Sequence, residues 1–206
     1  DLLVSYTRPD LGEPDMTSAW HTMALADIVG TGVMADAVAS ARALDAKFPE
    51  ATPYLDLYDG ELAYRRGDYA KAAELASAGL AKLPREEALM RYRALAWQAD
   101  ALRRLGKLDA RPYHEVLQRF PSVLRILDLA VPVQIDSDSS SAAAEAARRV
   151  ADSPRFTVTS HAPFAIHARS VDGVVELCLS DTSGFQFACA RGTKDDAVVS
   201  ALDAFH

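Results

Sequence analysis

Apolar positions in the first 129 residues recur every three or four places, as on one face of a helix, and from residue 130 they alternate, as in a strand. The spacing predicts a helix over 17–29 and another over 34–47, the second carrying the stripe Ala37, Ala41, Leu44 and Phe48. Gly32 falls between them, at a place that suits a left-handed C-cap. A second pair of runs ends at Pro84 and has Gly67-Asp68-Tyr69 at its turn; a third has Leu105-Gly106-Lys107-Leu108. In the third pair Pro112 suits the first turn of a short helix, and Ser122 suits the N-cap of a further one over 122–129. Pro49, Pro84 and Pro121 close the pairs at spacings of 35 and 37 residues, near the ~34-residue period of stacked helical hairpins.

Beyond residue 130 the alternation Val131, Val133, Ile135 predicts a strand, followed by a helix over 142–151 and strands over 156–159 and 164–169. Asp172-Gly173 is a hairpin turn pair leading into a strand over 174–180. Gly184 closes the next turn, a strand over 185–190 follows, and Thr193 opens a last helix. The fold class is α+β. An all-α array of three helix pairs and a capping helix spans 15–129, and a small α+β domain with a mainly antiparallel sheet spans 130–206. Strand parity places Val175, Leu177, Leu179, Phe185, Phe187 and Cys189 on one face and Cys178 on the other. That predicts two free thiols, with Cys189 buried, unless a bulge shifts the register.

Gly60, Tyr64, Gly67-Asp68-Tyr69, Ala72, Ala76, Gly79 and Pro84 occupy the places of the tetratricopeptide pattern, and the helical half resembles that family. Small residues at these places let helices approach closely and stack into one continuous core. The resemblance implies a protein or peptide partner in a concave groove lined by the first helix of each pair. Carried onto this chain, the exposed groove positions are Tyr54, Leu57, Glu61 and Tyr64, then Arg93, Asp100 and Arg103; the alternative is that these side chains contact neighbouring helices, Tyr64 in particular. The paired lysine, arginine and asparagine clamp of relatives that bind carboxy-terminal tails is not matched here. The second half, through Ser153-Pro-Arg155-Phe156-Thr-Val158 and the run Gly173–Gly184, looks like small domains of TolB-like proteins and of lipoprotein activators of cell-wall synthases. That likeness implies a bacterial envelope protein, periplasmic or anchored to the outer membrane, with a cytoplasmic location left open.

A net charge of −7 without a dense basic run argues against nucleic acid. No apolar stretch is long enough to span a membrane. The chain starts at Asp1 and stops at His206 within an apolar-periodic run, so both ends read as trimmed. No cofactor is expected, and the oligomeric state stays open.

Asp136-Ser137-Asp138 after a strand has the look of a phosphotransferase Asp-x-Asp, which makes a hydrolase or phosphotransferase centred on Asp136 and Asp138 the rival reading. The plainer account is a loop whose carboxylates and serines cap the following helix. A third reading has His161, His167 and Arg169 lining a surface for a glycan or cell-wall fragment. His21 and His114 read as polar packing residues. The balance favours a non-catalytic scaffold or adaptor.

Overall fold

The computed structural model describes residues 30–44 and 47–204. The helix expected over 17–29, with His21, lies outside them. Among the described residues the protein is α+β, with eight α-helices and five strands, the strands all in the second half. It divides into two compact units between Leu108 and Asp109.

The first unit holds α1 (Thr31–Arg42), α2 (Thr52–Arg65), α3 (Tyr69–Lys82) and α4 (Ala88–Arg104). Gly32 lies inside α1, and Gly30, at φ 84°, takes the boundary position instead. Since α1 ends at Arg42, the expected stripe is cut: Ala37 and Ala41 are buried, whereas Phe48 is 39 % exposed. Met34, Ala37, Val38 and Ala41 pack with Leu55, Tyr58 and Leu62 of α2, and Arg42 spans to Asp56 and Asp59 at 2.7 Å each.

Gly67 ends α2. Its φ of +82° lets the Asp68 N–H reach the Ala63 carbonyl and its own N–H reach that of Tyr64, the paired bonds that close a helix on a left-handed residue. Asp68 then caps α3, accepting from the Lys71 N–H at 3.2 Å. The same device recurs at Gly106, φ +70°, where Lys107 bonds back to Leu102 and Gly106 to Arg103. At Gly67 and Asp68 two residues thus stop α2 and start α3, which sets the short hairpin.

Helix α2 is gripped from two sides. A Cβ on Gly60 would stand 2.6 Å from the Trp97 ring of α4, and one on Gly79 of α3 would stand 2.6 Å from Leu57. Both neighbours are buried, so neither can yield cheaply.

The second unit contains α5 (Ala110–Arg119), α6 (Ser122–Ile126), β1 (Val131–Ser137), α7 (Ser141–Ala151), β2 (Phe156–Val158), β3 (Phe164–Val171), β4 (Val174–Asp181), β5 (Gln186–Gly192) and α8 (Lys194–Ala204). The order of strands and helices from β1 onward is the expected one. The sheet, in the order β2-β1-β3-β4-β5, is mixed rather than mainly antiparallel. Strand β1 runs parallel to β2 along Val131–Val133 and parallel to β3 from Val133 onward. The cause is α7, a helical crossover that returns the chain to run parallel to β1.

One sheet face, with Val131, Val133, Ile166, Ala168, Leu177, Leu179 and Ala190, is buried under α7 and α8, whose inward residues are mostly alanine. The other face is polar. The free-thiol expectation is overturned: Cys178 and Cys189 form a disulfide with Cα atoms 4.1 Å apart. A bulge between Leu179 and Ser180 admits one extra residue on β5, so Ala188 meets Leu179 and Cys189 lies directly opposite Cys178. Cys189 is therefore on the polar face and exposed, not buried.

The packing predicts opposite signs for two glycine substitutions. Gly60→Ala should lower the unfolding free energy by about 1–3 kcal/mol through overpacking against Trp97. Gly32→Ala, inside α1 with no atom within 4 Å of the new Cβ, should raise it by roughly 0.5–1 kcal/mol. Urea unfolding of both variants checks this.

Candidate functional site

Five of the seven expected groove positions, Glu61, Tyr64, Arg93, Asp100 and Arg103, fall into two charge clusters in the first unit. Glu61 is 2 % exposed and Asp100 1 % exposed, and Leu57 is also buried, so three of the seven are not surface residues. Arg93 binds Glu61 in a two-pronged contact, Nη2 to Oε1 at 2.6 Å and Nε to Oε2 at 2.8 Å. Arg65, one turn along α2, adds two more to Oε1, at 2.8 and 3.0 Å. Asp100 accepts from the Tyr64 hydroxyl at 2.5 Å, from Arg103 at 2.6 Å and from Arg104 at 2.5 Å.

Burial alone would raise the Asp100 carboxyl, but bonds from Arg104, Tyr64 and Arg103 hold it below its ordinary value. Tyr64 is pushed up by burial and by the adjacent Asp100. Each carboxylate has its charge neutralised and its lone pairs filled from within the unit, which a buried ion requires. These clusters join helices: Arg93 to Glu61 ties α4 to α2, as does Tyr64 to Asp100. Tyr54, Tyr64, Arg93 and Arg103 are half-buried and keep a solvent-facing part.

In the second unit the polar sheet face carries a row across four strands. Asp136 of β1 lies opposite His167 of β3, His167 opposite Cys178 of β4, and Cys178 opposite Cys189 of β5. His167 Nε2 stands 3.0 Å from the buried Ser180 Oγ, and Nδ1 stands 3.5 Å from Asp136 Oδ2. A serine, an imidazole and a carboxylate in that order resemble an activated nucleophile. Acyl transfer also needs N–H donors for an oxyanion. Here Ser180 sits mid-ladder between Ala165 and Gln186, and the Asp181 N–H is spent on the Phe185 carbonyl.

Asp138 has a different task from Asp136. It accepts from the Ser170 N–H at 2.6 Å and the Ser140 N–H at 2.9 Å, bonds that hold its carboxyl below the ordinary value. It ties the end of β1 to β3, while the Ser140 hydroxyl caps α7. Of the residues placed in the glycan reading, His167 and Arg169 share the polar face, and His161 is exposed on the loop before β3. Among the described residues no group of three or more His, Cys, Asp or Glu is placed to hold a metal ion.

A cleft of about 410 Å³ lies between α5 and the β3–β4 edge, lined by His114, Glu115, Pro163, Phe164, Asp181 and Thr182. His114 Nε2 is 3.2 Å from Asp181 Oδ2, and its ring meets Phe187 at 4.9 Å. Burial would raise Asp181, but bonds from Ser183 and the Phe185 N–H, with His114 nearby, hold it low. His114 is thus a packing residue with a carboxylate partner.

The row through His167 was missed by reading the sequence, although one signal was present. Counting outward from the two-residue turn at Asp172-Gly173 pairs His167 with Cys178. Comparison of the chain with family models, curated proteins and solved structures returns no match.

The depressed Asp100 carboxyl makes a directional prediction. Its contribution to stability is complete above the unfolded carboxyl value, about 4, and drains away as pH falls through the lower folded value. Asp100→Asn should therefore lower the melting temperature near neutrality and flatten the acid side of its pH profile. Calorimetric melting from pH 2 to 7 reads both effects.

Proposed function

We propose that the chain is a non-catalytic scaffold or adaptor, in which α1–α4 form a tetratricopeptide-like stack that holds a partner protein. The observation that carries this reading is that α2 packs at once on α3, through Gly79 against Leu57, and on α4, through Gly60 against Trp97. Contact with both the next helix and the one after is how stacked hairpins build a continuous core. The same helix-closing bonds at Gly67 and Gly106 support the same repeat. Partner contact falls to the half-buried Tyr54, Tyr64, Arg93 and Arg103, since tyrosine and arginine anchor interfaces by burying large area around a polar handle. The Cys178–Cys189 bond favours an oxidising compartment, in keeping with a place in the bacterial envelope.

A photoreactive amino acid at Tyr54, Arg93 or Arg103 in living cells should give one discrete crosslinked protein, and one at Glu74, exposed on α3, should give none. Tyr54→Ala should then weaken capture of that protein about tenfold or more. No crosslinked protein from the three positions, or the same products from Glu74, would contradict the adaptor reading.

A further inference from the structure

The Cys178–Cys189 disulfide does not sit as a buried staple. The two cysteines have unequal surroundings: Cys178 is 5 % exposed in the interior strand β4, whereas Cys189 is exposed on β5, the edge strand of the sheet. An attacking sulfur can therefore approach Cys189 from solvent, and Cys178 is shielded. Beside Cys178 on the same face stands His167, its direct register partner on β3. Side chains directly opposite across a sheet have Cβ atoms about 4.5–5.5 Å apart. His167 is in turn held by the Ser180 hydroxyl at Nε2 and faced by Asp136 at Nδ1.

Disulfide exchange is fastest when the departing sulfur is a stabilised thiolate, and a neighbouring imidazolium stabilises one. The geometry supplies an imidazole next to the shielded sulfur and leaves the other sulfur open. The remaining charges on this face are Glu176, paired with Arg191 of β5, and Arg169, opposite Glu176 on β3.

The geometry points to a thiol–disulfide exchange site at Cys178–Cys189 whose substrate is a thiolate, with His167 as a positioning residue for the departing sulfur. The incoming thiolate attacks Cys189 Sγ and forms a mixed disulfide; the Cys178–Cys189 bond breaks and its electron pair stays on Cys178 Sγ beside His167. A second thiol of the same class, as its thiolate, attacks the incoming sulfur, which releases the substrate disulfide and leaves Cys189 reduced. Two thiols are oxidised to one disulfide, the cysteine pair is reduced to a dithiol, and the two thiol protons end on Cys178 and Cys189. This inference stands apart from the adaptor reading, because none of its residues lies in α1–α4.

The test follows reduction of the oxidised full chain under native conditions with two probes, reduced glutathione and a reduced thioredoxin, using alkylation and mass spectrometry. Reduction far faster than global unfolding is expected, and the probe that reacts faster per thiolate tells a small-molecule source from a protein one. Cys178→Ser, offered oxidised glutathione, should exchange it onto Cys189 as a mixed disulfide with release of one reduced glutathione. His167→Gln should slow reduction about three- to tenfold relative to wild type at unchanged melting temperature, and His167→Lys, which puts a cation at that place, should recover much of the rate. Reduction only at the rate of unfolding, or equal rates in His167→Gln and wild type, would overturn the proposal. The wild-type rate decides the matter even where Cys178→Ser does not fold.

Discussion

The first unit depends on how close α2 lies to its neighbours. At Gly60 and Gly79 a single methyl group is too much, because Trp97 and Leu57 already fill the space. That approach brings the polar flank of α2 under α4, and the flank must then be neutralised where it lies. Arg93 of α4 answers Glu61 of α2, and Tyr64 of α2 answers Asp100 of α4. Packing and charge pairing are thus one arrangement: without the small residues the helices would stand apart, and without the arginines the buried carboxylates would cost several kcal/mol each. The run Ala94–Ala101 is buried residue by residue as a result.

The second unit is organised by register. A helical crossover fixes β1 as a parallel strand, the Asp172-Gly173 turn fixes β3 against β4, and the bulge at Leu179/Ser180 fixes β5. Together they put apolar side chains under α7 and α8 and line up Asp136, His167, Cys178 and Cys189 on the opposite face. Moving the bulge would return Cys189 to the buried face and undo the disulfide.

Much of this was legible in the sequence where the chemistry is local. Gly67-Asp68 and Gly106 announce helix ends because few other residues take a positive φ, and Asp172-Gly173 announces its hairpin for the same reason. What failed was non-local. Alternation in Val131–Ile135 says that a strand is present and nothing about the direction of its neighbours. Parity counting from Phe187 to Cys189 broke on one extra residue. The tetratricopeptide resemblance put Leu57, Glu61 and Asp100 on an open face, because a motif match cannot show that α4 closes over α2 with arginines on hand. The candidate groove shrank to its tyrosine and arginine members for that reason.

Native-state hydrogen exchange measures the central claim directly, since it reports the opening free energy of each helix separately. If α2 is the member that α3 and α4 close upon, the amides of α2 and α4 should share one opening free energy, the highest in the first unit. Amides of α2 that exchange in an earlier, separate step than those of α4 would contradict the account.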